Sequence, residues 1–159
     1  MSAAADVRPL RAGDGPACDA IVASLPYHFG LESGRTACAA AVRSSEGLAA
    51  VAGGEVAGFL TWRPWYRASR EITWMAVHAE RRGEGIGRSL LEHLAAASAG
   101  CARHLVVTTL SEATPEPGVA DGYARTRRFY ERNGFDPVWD PAGWWDADNQ
   151  AVVMVRRLD

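Results

Sequence analysis

The chain has 159 residues, 48% of them hydrophobic and 23% charged, with 17 basic against 19 acidic side chains; this fits one globular domain, residues 1–159, with no room for a second of ordinary size. Every basic side chain is arginine, which excludes a lysine Schiff base and the phosphate-binding lysine of a P-loop. A net charge of −2 offers no bulk attraction to nucleic acid or to an anionic membrane, and arginine pairs such as Arg81-Arg82 and Arg127-Arg128 are too short to form a binding patch.

Asp6 to Leu10 alternates weakly and predicts a short strand. Gly13 to Pro16 supplies a turn, with Asp14 placed as an N-cap for a helix carrying Ala17, Ile21, Val22 and Leu25 and stopped by Pro26. Alanine-rich sequence predicts a second helix from about Arg35 to Arg43. Gly53-Gly54 joins Gly47–Ala52 to Glu55–Trp62 as a hairpin. Glu71–Val77 reads as a strand with Glu71, Thr73, Met75 and Val77 on one face and Ile72, Trp74 and Ala76 on the other.

From Gly85, the apolar positions Ile86, Leu90, Leu91, Leu94 and Ala97 predict an amphipathic helix that ends at Gly100. His104–Leu110 is rich in β-branched residues and predicts a buried strand. A loop from Ser111 to Gly118 leads to a helix from about Asp121 to Arg132, closed by Asn133-Gly134. Phe135–Trp139 and Ala151–Arg157 are the last expected strands, separated by a loop that carries Trp144 and Trp145. Interleaved strands and helices around a mixed sheet give an α/β or α+β domain.

Cys18, Cys38 and Cys101 are odd in number and widely spaced, with no metal-ligand pattern nearby, so neither a disulfide framework nor a metal site is expected. Residues Met1 to Asp6 lack the basic flank and apolar core of a secretory leader, and no stretch approaches the length of a membrane span. A cytoplasmic protein without a membrane or nucleic-acid partner is the expectation.

The most informative segment is Val77-His78-Ala79-Glu80-Arg81-Arg82-Gly83-Glu84-Gly85-Ile86-Gly87-Arg88, which places three glycines, each two residues apart, between a strand and an amphipathic helix. Glycine lets backbone approach a ligand closely, and the first amides of a helix have no partner within it. Aided by the helix dipole, such amides hold phosphate groups, with Arg82 or Arg88 adding charge. A tight connection without a ligand is the plainer alternative. The dinucleotide fingerprint fails, because Leu90 stands where its third glycine belongs.

The segment resembles the acyl-coenzyme A signature of the GNAT superfamily of N-acetyltransferases, [Q/R]-x-x-G-x-[G/A], met by Arg82-Gly83-Glu84-Gly85-Ile86-Gly87. Glu71–Val77 looks like that family's fourth strand, and Phe129-Tyr130-Glu131-Arg132-Asn133-Gly134-Phe135 like its later helix. Departures are Ala79, where the family often has Pro, and Tyr123 and Thr126, where it often has Asn and Ala. The resemblance implies a mixed, mostly antiparallel central sheet of about six to seven strands flanked by about four helices. It also implies direct acetyl transfer from acetyl-coenzyme A to a primary amine of a small molecule or peptide. On this resemblance Met75, Ala76, Val77, Arg82, Gly83, Glu84, Gly85, Ile86, Gly87 and Arg88 would contact the coenzyme.

An amine with a pKa of about 10.4 is neutral in roughly one molecule in two thousand at pH 7, so the acceptor needs a base nearby. Glu71 is the candidate, acting directly or through a water; a solvated carboxylate at a strand start is the alternative. Tyr130 is the candidate proton or hydrogen-bond donor to the departing thiolate, against the plainer role of a core tyrosine. The family implies a backbone N–H at Val77 for the thioester oxygen. Tyr27, Trp62, Trp144 and Trp145 are the candidate walls of an acceptor pocket, although exposed aromatics also serve core or dimer contacts, which leaves a homodimer open. A non-catalytic acyl-coenzyme A sensor would share the glycine turn without needing Glu71 or Tyr130.

Overall fold

A computed structural model describes residues 5–112 and 122–159. The expected loop from Ser111 to Gly118 lies outside them except for its first two residues, as does Asp121 at the expected start of the fourth helix. The described residues form a mixed α/β fold with seven strands, in a mostly antiparallel sheet, and four α-helices. The chain divides into two compact units, one of residues 1–63 and 72–98, the other of residues 64–71 and 99–159.

The strands β1 (Asp6–Pro9), β2 (Glu46–Ala52), β3 (Glu55–Pro64) and β4 (Ser69–Val77) are neighbours in that order and belong to the first unit, apart from Pro64 of β3 and Ser69–Glu71 of β4, which fall in the second. β1 runs antiparallel to β2 from Asp6↔Val51 to Pro9↔Leu48. β2 runs antiparallel to β3 from Glu46↔Trp62 to Ala52↔Glu55, with an irregularity between Ala50 and Val51. The hairpin turn between β2 and β3 needs two left-handed residues, and Gly53 and Gly54 supply them at φ 62° and 81°.

Helices α1 (Gly15–Ala23) and α2 (Glu32–Ser44) pack together. Their apolar positions Cys18, Ile21, Val22, Cys38 and Val42 join Leu25, Phe29, Phe59 and Ala76 in one buried cluster, with Trp74 packed against it and its ring stacked 6.0 Å from that of Phe29. Helix α3 (Ile86–Ser98) lies over β1 and β2. Its stripe of Ile86, Leu90, Leu91 and Leu94 is fully buried, and each leucine contributes about 1.5–3 kcal/mol of transfer free energy.

Two local expectations change. Helix α2 begins at Glu32 rather than near Arg35, with the Glu32 carboxylate in a first turn whose dipole favours it. Asp14 does stand at the N-cap of α1, yet its side chain makes no cap bond. Arg8 takes the carboxylate through a fork of hydrogen bonds at 2.8 and 2.9 Å, and the Arg11 N–H donates to it at 2.8 Å. The carboxylate is thereby committed to Arg8 and to the Arg11 amide, and makes no bond to the first amides of α1.

In the second unit β5 (His104–Leu110) runs antiparallel to β7 (Ala151–Arg157), from His104↔Arg157 to Leu110↔Ala151. β6 (Asp136–Trp139) pairs antiparallel on the other side of β7. Helix α4 (Gly122–Arg132) packs against β5. It closes as expected: Gly134 adopts φ 85°, its N–H donates to the Glu131 carbonyl, and the Phe135 N–H donates to the Tyr130 carbonyl.

Candidate active site

The end of β4 is held in place from two directions. The His78 N–H donates to the Ala57 carbonyl of β3 at 2.9 Å, and the Ala79 N–H donates to the Ser24 hydroxyl just past α1 at 3.1 Å. Ser24 Oγ in turn donates to the Ile21 carbonyl at 2.6 Å, which fixes the hydroxyl's orientation. Past this anchor the His78 ring closes a short 3-10 turn, Ala79–Arg81, by accepting the Glu80 N–H on Nδ1 at 3.2 Å. That acceptor role makes His78 a cap.

The glycine turn follows. Gly83 and Gly85 adopt φ 82° and 78°, conformations that L side chains rarely take, and a Cβ at either position would meet only open space. Helix α3 starts at once: the Ser89 N–H donates to the Gly85 carbonyl at 3.0 Å, so the amides before it belong to the first turn and have no acceptor within the helix. An open cradle of backbone at the positive end of a thirteen-residue helix suits a phosphate group. Arg82 and Arg88 are exposed beside it.

The seat is set by a close approach that sequence reasoning missed. Gly58 of β3 lies under Ile86, the first residue of α3: a Cβ on Gly58 would stand 2.8 Å from Ile86 Cγ2 and 3.2 Å from the Ala76 carbonyl oxygen. A glycine inside a strand signals such an approach, and that signal was available at Gly58. Thr61 and Thr73, one on each strand of the β3–β4 hairpin, join their hydroxyls at 2.7 Å, and Thr61 is fully buried.

Within the turn Arg81 grips Glu84. Its Nε lies 2.9 and 3.0 Å from the two carboxylate oxygens and its Nη2 2.8 Å from Oε2. The pair holds the Glu84 carboxyl below its ordinary range and the guanidinium above its own. The carboxylate of Glu84, expected to belong to the coenzyme site, is therefore already engaged.

The other expected residues are distributed as follows. Met75 and Val77 are half-buried and Ala76 buried on the strand leading into the turn, and Ile86 and Gly87 are buried at the helix start. Glu71 is half-buried on β4. Tyr130 is buried on α4, packed edge-on between Phe129 and Phe135 with centroids 5.2 and 5.3 Å away; that burial raises its phenol pKa. The glycine turn belongs to the first unit, Glu71 and Tyr130 to the second. The four aromatic positions are also divided, Tyr27 and Trp62 in the first unit and Trp144 and Trp145 in the second. Tyr27, Trp144 and Trp145 are exposed and Trp62 is half-buried. Tyr27 meets the His28 ring edge-on at 5.2 Å, and Trp144 lies 5.2 Å from Trp139.

Among the described residues no three His, Cys, Asp or Glu side chains are grouped to hold a metal ion, and no helix is long and apolar enough to cross a membrane.

No curated protein matches the chain in sequence. Its fold is similar to that of a GNAT-family protein from Desulfovibrio desulfuricans, with a TM-score of 0.82 and 21% identity over 98% of this chain and 100% of the other. It is also similar to Ard1 from Thermoplasma volcanium, at a TM-score of 0.76 and 16% identity over 99% of each chain. An aminoglycoside 6'-N-acetyltransferase complexed with coenzyme A follows, at a TM-score of 0.73 and 16% identity over 97% of each chain. The family model of the acetyltransferase (GNAT) domain matches residues 43–137, a span that contains β4, the glycine turn and α3 and exceeds half of the chain. The protein belongs to the GNAT family of acetyltransferases.

Proposed function

We propose that the protein is an N-acetyltransferase that moves the acetyl group of acetyl-coenzyme A directly to a primary amine of a small molecule or peptide. The observation that carries this reading is the open turn at Gly83 and Gly85 at the head of α3, inside the region matched by the family model. Its amides, with Arg82 and Arg88, would hold the coenzyme diphosphate. Met75, Ala76 and Val77 would line the path to the thioester, with a backbone N–H at Val77 for the carbonyl oxygen.

In the transfer the neutral amine nitrogen attacks the thioester carbon, the C–S bond breaks, and coenzyme A leaves as a thiolate. Glu71 takes the proton that the amine loses, directly or through a water. Tyr130, with its pKa raised by burial, remains protonated and serves the thiolate as a hydrogen-bond donor more than as a proton source, because a thiol of pKa about 8.5 is the stronger acid. Tyr27, Trp62, Trp144 and Trp145 are the proposed acceptor contacts, and the proposed site of action is the cytoplasm.

The test is release of free thiol from acetyl-coenzyme A across a library of amines, alongside calorimetry of coenzyme binding. Amine-dependent thiol release is expected. Saturable binding with no amine-dependent release would make the chain a sensor, and absence of binding would remove the reading altogether.

A further inference from the structure

Glu84 stands between the two left-handed glycines of the turn, Gly83 and Gly85, at the place where the reading above puts a diphosphate. A free carboxylate there would compete for the same amides or repel the ligand, since a turn built to attract one anion attracts another. Resting on that reading, we propose that Arg81 is a positioning residue for the coenzyme: its guanidinium draws the Glu84 carboxylate back and leaves the amides of the glycine turn to the diphosphate.

Three observations carry this. The contact is a fork, with Nε and Nη2 engaging both carboxylate oxygens at 2.8 to 3.0 Å, which fixes the direction of the carboxylate as well as its distance. The Arg81 backbone is itself fixed, because its N–H donates to the His78 carbonyl at 2.9 Å beside the anchor that ends β4. Both side chains are about a third exposed, 31% and 30%, so the pair stands at the open surface of the turn, within reach of a ligand that approaches it.

The test is calorimetry of acetyl-coenzyme A with the full chain, Arg81→Gln, Glu84→Gln and the double variant. With Arg81 neutralised, the carboxylate faces the ligand and affinity falls by about fivefold at low salt. With Glu84 neutralised, Arg81 is released toward the phosphates and affinity rises by a similar factor, while the double variant returns close to the native value. Added salt shrinks all these differences. A pair that only braced the turn would weaken binding in both single variants, and that result, or four equal affinities, overturns the proposal. Failure of the unaltered chain to bind acetyl-coenzyme A overturns the acetyltransferase reading and this inference with it.

Discussion

Gly58 and Ile86 are in contact across the join between sheet and helix, and the methyl Cγ2 of Ile86 occupies the space that a side chain at Gly58 would need. The helix can start this close to β3 only because Gly58 has no Cβ. That closeness sets where the first amides of α3 stand.

Gly58→Ala is therefore expected to cost about 1–3 kcal/mol of stability, as overpacking of a filled core does. It should also raise the KM for acetyl-coenzyme A, because the helix start must move. Ile86→Leu, which removes Cγ2, should recover part of both losses when combined with it. Denaturant unfolding and steady-state kinetics check this; a Gly58→Ala protein as stable as the parent would show that the contact relaxes at no cost.

Tyr130→Phe keeps the ring packed against Phe129 and Phe135 and removes only the hydroxyl. Turnover is expected to fall roughly 10–1000-fold, toward the lower part of that span because a raised phenol pKa favours hydrogen bonding over proton donation. Coenzyme affinity should stay close to native. An unaltered turnover number would place Tyr130 in the core alone.

The Arg8–Asp14 pair makes a specific contribution to acid sensitivity. The Arg8 hydrogen bonds hold the Asp14 carboxyl below its ordinary range in the folded chain. Because the folded pKa is the lower one, the stabilisation is fully present above the unfolded value of about 3.9 and is lost as pH falls through the folded value. Asp14→Asn should cost about 1.5–3 kcal/mol at neutral pH, and its stability should converge on the parent's as the pH falls below the folded pKa of Asp14. Urea unfolding at several pH values measures the gap; a gap that does not narrow in acid would assign the loss to packing.

Burial pushes the thiols of Cys18 and Cys38 up to about 12, while Cys101 is exposed. At pH 8 a thiol reagent should modify one cysteine quickly in the native chain and all three after unfolding. Rapid labelling of two or more in the folded protein would mean that the α1–α2 cluster opens far more readily than its packing indicates.

How much of this was legible beforehand follows from the range of each interaction. The hairpin at Gly53-Gly54, the stripe of α3 from Ile86 to Leu94 and the closing Gly134 are legible in the sequence, because residue type and period report local backbone conformation directly; the stripe's expected last member, Ala97, is exposed, and Ser98 is buried instead. The Gly83 and Gly85 turn belongs to the same class. Asp14 was placed correctly as an N-cap position and wrongly as a cap, since its partner Arg8 arrives from β1 and no local pattern announces a competing guanidinium.

The chain without a lysine illustrates the division. Its composition alone excluded lysine from any anion site and left guanidinium groups as the long cationic side chains. Only the tertiary structure decided where individual arginines are committed, among them Arg8 to Asp14, Arg43 to Asp19, and Arg81 to Glu84 within the turn itself. It also decided that Gly58 lies beneath Ile86 and that the Tyr130 hydroxyl is buried. A residue's intrinsic geometry and charge are written in its type, whereas its neighbours across strands and helices exist only once the chain has paid the entropy of bringing them together.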